Sequence, residues 1–99
     1  MKHEENLMVI ALEECAEVQQ EISKALRFGV ENHHPDEPFI TNGERILKEF
    51  HQLRAVIDML VEEKIIHGLP EEEQNQIYYD KVANIEKWEK YSRSIGQVN

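Results

Sequence analysis

Leu7-Met8-Val9-Ile10-Ala11-Leu12-Glu13-Glu14-Cys15-Ala16-Glu17-Val18-Gln19-Gln20-Glu21-Ile22-Ser23-Lys24-Ala25-Leu26-Arg27-Phe28 is the stretch on which the fold turns. Projected at ~100° per residue, Leu7, Ala11, Cys15, Val18, Ile22, Ala25 and Leu26 form one apolar stripe, the signature of an amphipathic helix. Glu14, Glu17 and Glu21 form a second stripe along its edge, and Lys24 continues that row. Three carboxylates at i, i+3 and i+7 therefore point partly toward whatever the helix packs against. Cys15, inside the apolar stripe, reads as a packed core thiol rather than a nucleophile.

Working outward, the chain breaks in two places. Residues 29–42 hold two prolines in His33-His34-Pro35-Asp36-Glu37-Pro38 and run up to Thr41-Asn42-Gly43. Gly68-Leu69-Pro70 is a tighter break. Three helices are predicted, near 4–28, 43–67 and 71–94, with Asn42 as N-cap of the second. Pro70 followed by Glu71-Glu72-Glu73 opens the third, since proline suits the first turn and acids suit the positive end of the dipole. In the middle helix the apolar arc is Ile46, Phe50, Leu53, Val56, Ile57 and Leu60. Glu49 lies inside that arc, Gln52 sits at its edge, and Asp58 points away to the surface. In the last helix Ile77, Ile85, Trp88 and Ile95 define an apolar face on which Lys81 and Asn84 also fall, with Tyr91 at the edge. The predicted fold is all-α: one helical domain over 1–99 with a loop at 29–42, an antiparallel bundle of three to four helices completed by oligomerisation. Three long helices in a 99-residue chain leave apolar faces that one thin layer does not bury.

Composition sets the outer bounds. The formal net charge of −9 disfavours nucleic-acid polymers and anionic membranes. No apolar run approaches the ~20 residues of a membrane span. The acidic start Met1-Lys2-His3-Glu4-Glu5 is unlike a signal peptide. A lone cysteine forms no internal disulfide, which fits a reducing cytoplasm.

Inward-facing carboxylates normally neutralise or find partners. Several facing inward together repel, and a divalent cation with oxygen ligands removes that repulsion. The plain reading of each glutamate is a solvated flank, and of Lys24 and Arg27 a pair of cations offsetting the helix dipole. The recurrence of polar residues on the apolar faces of all three helices favours a metal site over chance. His33-His34 beside Asp36 and Glu37 reads as a polar turn rather than a zinc site, because no ligand-spaced partner pair accompanies it.

Glu13-Glu14-Cys15-Ala16-Glu17-Val18 resembles the first motif of the all-alpha nucleoside triphosphate pyrophosphohydrolases, the superfamily of MazG proteins, dimeric dUTPases and phosphoribosyl-ATP pyrophosphohydrolases. Its pattern is Glu-Glu-x-x-Glu on one helix and Glu-x-x-Asp on the next; here the second motif reads Glu49-Phe50-His51-Gln52. Ser23-Lys24-Ala25-Leu26-Arg27-Phe28-Gly29 resembles the end of the first helix in MazG-like proteins. The resemblance covers roughly 7–65 well and the last helix loosely. It implies Mg²⁺, with Mn²⁺ as a possible substitute, held by Glu14, Glu17, Glu49 and Gln52. It also implies attack by water on a nucleoside triphosphate, release of pyrophosphate, and assembly as a homodimer or homotetramer. Glu14, Glu17 and Glu21 would be the catalytic carboxylates, with Glu21 an additional ligand or water activator. Lys24, Lys81 and Asn84 would contact substrate. Two departures stand out. The interval Val18 to Lys48 is longer than usual for the family, and Gln52 replaces its aspartate. The alternative is a nucleotide-binding or helical interaction protein of the same fold with reduced or lost catalysis.

Overall fold

A computed structural model describes all residues, Met1–Asn99. The protein is all-helical: α1 spans His3–Phe28, α2 Asn42–Glu62 and α3 Glu71–Ser94. None of them is long and apolar enough to cross a membrane. The chain divides into two compact units, Met1–His67 and Gly68–Asn99.

In the first unit α1 and α2 pair as an antiparallel hairpin. The loop joins them at one end. At the other, His3 Nε2 lies 2.8 Å from Glu63 Oε1. The buried positions are Leu7, Glu21 and Ala25 on α1 and Asn42, Val56 and Leu60 on α2. Between them Ala11, Glu14 and Val18, and Ile46, Glu49 and Leu53, are half-buried. The seam therefore reads 7, 11, 14, 18, 21, 25 against 42, 46, 49, 53, 56, 60. This is the alternating four-three spacing of two helices packed along their length.

That seam departs from the stripe expected on the first helix. Cys15 is exposed, not a core thiol. Ile22 is exposed and Leu26 is 84% exposed. α2 covers the boundary between the apolar stripe and the glutamate row, so glutamates take seam positions. Leu12, Cys15, Ile22 and Leu26 are left as a second, outward apolar face. On α2, Phe50 and Ile57 are likewise exposed. Asp58 is on the surface, beside Arg54 at 3.8 Å.

The loop is closed by asparagines. α1 ends at Gly29, whose φ of 99° suits a residue without Cβ and whose N–H donates to Ala25 O. The carbonyls left over at the helix end are met by side-chain amides: Asn32 Nδ2 donates to Phe28 O at 3.1 Å and Asn42 Nδ2 to Gly29 O at 2.8 Å. The backbone N–H groups of Asn42 and Gly43 donate to Asn32 O and Val30 O, at 2.7 and 2.9 Å. A Cβ on Gly43 would sit 3.0 Å from Val30 Cγ1, a tight contact that glycine avoids. Asn42 is thus not the N-cap but the first helical residue, and buried. Thr41 is the cap, its Oγ1 accepting from Glu44 N–H at 3.1 Å. Threonine at the cap frees the asparagine amide to reach back to α1.

α2 stops at Glu62, five residues short of the expected 67. Lys64 takes φ 61°. Its N–H donates to Val61 O, and Ile65 N–H donates to Leu60 O. This is the Schellman arrangement that ends helices, here built on lysine instead of glycine. Gly68, the residue that looked like the stop signal, comes after the helix has already closed.

The second unit contains α3. Glu71, Glu72 and Glu73 occupy its first turn and Arg93 its last, as the dipole favours. No residue of α3 is buried. Ile77, Ile85, Trp88 and Ile95 are exposed, and so are Lys81 and Asn84. Lys81 and Asn84, expected on a buried arc, are thus exposed in the single chain, where this unit offers its own helix nothing to pack on.

Candidate functional site

Placing glutamates on a helix seam concentrates charge where water is scarce. Glu21 is 6% exposed, Glu14 and Glu49 are half-buried, and Glu17 is exposed. Glu14 Oε2 and Glu21 Oε2 are buried with no hydrogen-bond partner. An unmet buried oxygen of this kind is costly. Lys24, one turn on, offers Glu21 Oε1 only a distant contact at 3.6 Å. The middle of the seam therefore holds carboxylate oxygens that no protein donor satisfies.

Glu49 feels this crowding from across the interface. Its carboxyl is pushed above the ordinary carboxylate range, first by burial and then by the negative charges of Glu14, Glu17 and Glu21; Lys48 opposes this weakly. The antiparallel pairing thus brings together four of the site residues chosen from sequence, two turns of α1 against one turn of α2. Lys24 adjoins them through Glu21. Gln52 is exposed, one turn beyond Glu49. Lys81 and Asn84 belong to the other unit.

The donor set is all oxygen and mostly anionic, the chemistry Mg²⁺ or Mn²⁺ requires. Unpartnered Glu14 and Glu21 oxygens and the raised Glu49 carboxyl are what a cation would relieve. As they stand, no three His, Cys, Asp or Glu side chains are gathered closely enough to hold an ion. Mutual repulsion keeps like charges apart, so rotamer changes at Glu14, Glu17 and Glu49 are needed to converge on one point. The residues match a hard divalent cation in donor chemistry, and their present placement does not form a coordination shell.

Sequence reasoning missed a second group of residues around the loop. Arg45 occupies α2 next to the seam, and its Nη2 donates to Glu37 Oε2 at 2.6 Å. That pairing holds the Glu37 carboxyl below its usual range. Arg45 stands four residues before Glu49, the spacing that puts two side chains on one face; that was the signal available in sequence. His33 and His34 form the polar turn expected of them. His33 Nδ1 bonds His34 O at 2.9 Å, and Asp36 N–H donates to His34 Nδ1 at 3.1 Å.

No model of a protein family, no curated protein and no solved structure matches this chain.

Proposed function

We propose that the protein is a Mg²⁺-dependent nucleoside triphosphate pyrophosphohydrolase, converting a (d)NTP to (d)NMP and pyrophosphate. The observation that carries this reading is the facing of Glu14, Glu17 and Glu21 on α1 by Glu49 on α2, with the Glu49 carboxyl pushed up first by burial and then by the charges of the other three. The motif resemblance supplies the substrate class. Glu14, Glu17 and Glu49 would hold the metal. When bound, a divalent cation supplies positive charge to the phosphoryl oxygens as negative charge develops there. Glu21, which has an oxygen free of partners, would take the proton of the attacking water. Lys24 would approach the phosphates from the next turn. A reducing cytoplasm is the proposed setting.

Pyrophosphate release, measured across nucleoside triphosphates with and without Mg²⁺, tests this directly. Release that depends on Mg²⁺ and disappears in Glu17→Gln supports it; no release from any triphosphate sinks the catalytic reading. That outcome would favour the second reading, a nucleotide-binding or interaction protein. It has one observation behind it: Gln52, a neutral amide, stands exposed where the resemblance expects a ligating aspartate.

Gln52→Asp separates the two. A charged oxygen attracts a divalent cation more strongly than a neutral one, an attraction that solvent weakens at an exposed position such as this. The substitution is expected to tighten Mg²⁺ binding several-fold, and to raise pyrophosphate release if the wild type is weak. Calorimetric titration giving equal affinities would place Gln52 outside the metal shell.

A homodimer belongs to the same proposal. Leu12, Ile22 and Leu26 on the outer face of α1, and Ile77, Ile85 and Trp88 on α3, are exposed in the single chain. Apolar surface on that scale is normally covered by a partner. Light scattering is expected to report twice the chain mass or more, and a monomer at micromolar concentration would contradict it.

A further inference from the structure

Between the end of α1, the loop and the first turns of α2 lies a cavity of about 440 Å³. Lys24 and Phe28 line it from α1, His33 and His34 from the loop, and Arg45 from α2. Its volume lies within the ~300–1,000 Å³ typical of small-molecule sites and far exceeds what a bare phosphate fills. Lys24 and Arg45 each have an internal acidic partner: Lys24 faces Glu21 at 3.6 Å, and Arg45 meets Glu37 at 2.6 Å.

The Arg45 pair differs from the Lys24 pair. The Arg45 side chain is 19% exposed, whereas that of Glu37, on the loop, is 56% exposed. Glu37 takes one terminal nitrogen, and Arg45 Nε is left buried with no acceptor. A guanidinium presents Nε and a terminal nitrogen as a fork that suits two oxygens of a carboxylate or phosphate. Glu37 fills half of that fork. The backbone N–H groups at the start of α2 are engaged by Asn32 O, Val30 O and Thr41 Oγ1, so an anion here relies on side chains and not on the helix terminus. His34 Nδ1 accepts a backbone N–H, which leaves the ring proton on Nε2 as a further donor. Phe28 and Pro35 add apolar wall suited to a ring.

We propose that this cavity binds a phosphorylated small molecule of about nucleoside-monophosphate size, with Arg45 gripping the phosphate and Glu37 occupying Arg45 until the ligand displaces it. The site lies one turn from the carboxylates, since Lys24 follows Glu21 and Arg45 precedes Glu49. The cavity shares Lys24 with the proposed phosphate contacts, so the assignment of a nucleotide-sized ligand rests on that reading; binding in chelator, without metal or hydrolysis, is what separates the two. Glu37 remains ionised at neutral pH and competes with the incoming phosphate; removing its charge favours the ligand.

The test is calorimetric titration of adenosine monophosphate, a hexose phosphate and inorganic phosphate, in chelator and at low salt, into wild type, Glu37→Gln and Arg45→Gln. At least one organic phosphate is expected to bind the wild type more tightly than inorganic phosphate does. Glu37→Gln is expected to tighten that binding several-fold, and Arg45→Gln to weaken it by about tenfold or more. No binding of any probe at millimolar concentration overturns the proposal, as does equal or weaker binding by Glu37→Gln. Binding of inorganic phosphate alone overturns the assigned ligand class. Glu37 is on an exposed loop, so its variant decides the matter even if Arg45→Gln fails to fold.

Discussion

Glu49→Gln is expected to raise the melting temperature of the metal-free protein at neutral pH and to remove most of its response to Mg²⁺. Both effects come from one carboxylate. Burial and the charges of Glu14, Glu17 and Glu21 lift the Glu49 carboxyl above the ordinary carboxylate range. A group whose folded-state pKa is raised favours folding most below its unfolded pKa. That contribution is lost as pH rises through the folded value. The metal-free wild type should therefore lose stability relative to Glu49→Gln as pH rises from the ordinary carboxylate range through the raised folded-state value, with the difference levelling off once Glu49 is fully ionised. A bound divalent cation reverses the penalty, and ligand linkage adds about 2.7 kcal/mol at a hundredfold excess over the dissociation constant. For a domain of this size that corresponds to roughly 10–20 °C in melting temperature. Glu14→Gln and Glu17→Gln should show reduced Mg²⁺ shifts, and pyrophosphate release should fall by about a hundredfold or more in Glu49→Gln. Equal Mg²⁺ shifts in wild type and all three variants would remove the metal site. A Glu49→Gln protein with the wild-type pH profile would remove the electrostatic account of Glu49.

Leu60→Ala is expected to cost about 2–5 kcal/mol, a large share of the ~5–15 kcal/mol that holds a typical domain folded. The reason is the smallness of the core. Only Leu7, Ala25, Val56 and Leu60 are buried apolar side chains, and Leu60 is the most enclosed at 3% exposure. Its carbonyl also accepts the N–H of Ile65 in the turn that ends α2, so lost packing loosens the helix stop as well. Leu26→Ala is the matching control: Leu26 is almost fully exposed in the single chain, and its loss should change the stability of a monomer little. A destabilisation at Leu26 that grows with protein concentration would locate the dimer contact on the outer face of α1. A Leu60→Ala protein that melts within a degree or two of wild type would show that the hairpin seam is not where the stability resides.

The number and order of helices, the two breaks and the presence of glutamates among apolar positions were legible in the sequence, because each rests on local rules. A 3.6-residue period, proline and glycine punctuation and acids in a first turn act over one or two turns of chain. Tertiary structure alone decided which side of α1 meets α2. The apolar stripe through Cys15, Ile22 and Leu26 and the row through Glu14 and Glu21 lie on neighbouring arcs of one helix. The ~100° projection does not say which arc a partner covers, since that depends on how the whole hairpin packs. Loop closure had the same character. Asn42 looked like a cap because asparagine commonly is one, yet its amide meets a carbonyl thirteen residues earlier, a partner no local rule reaches. Lys64 ended α2 before Gly68 could, because Schellman bonding to Leu60 and Val61 outweighed the modest strain of a positive φ on lysine. The encounter of Glu49 with Glu14, Glu17 and Glu21, and of Arg45 with Glu37, likewise required the chain to fold back. Electrostatic neighbours are set by distance through space, and only the antiparallel hairpin brings those distances within range.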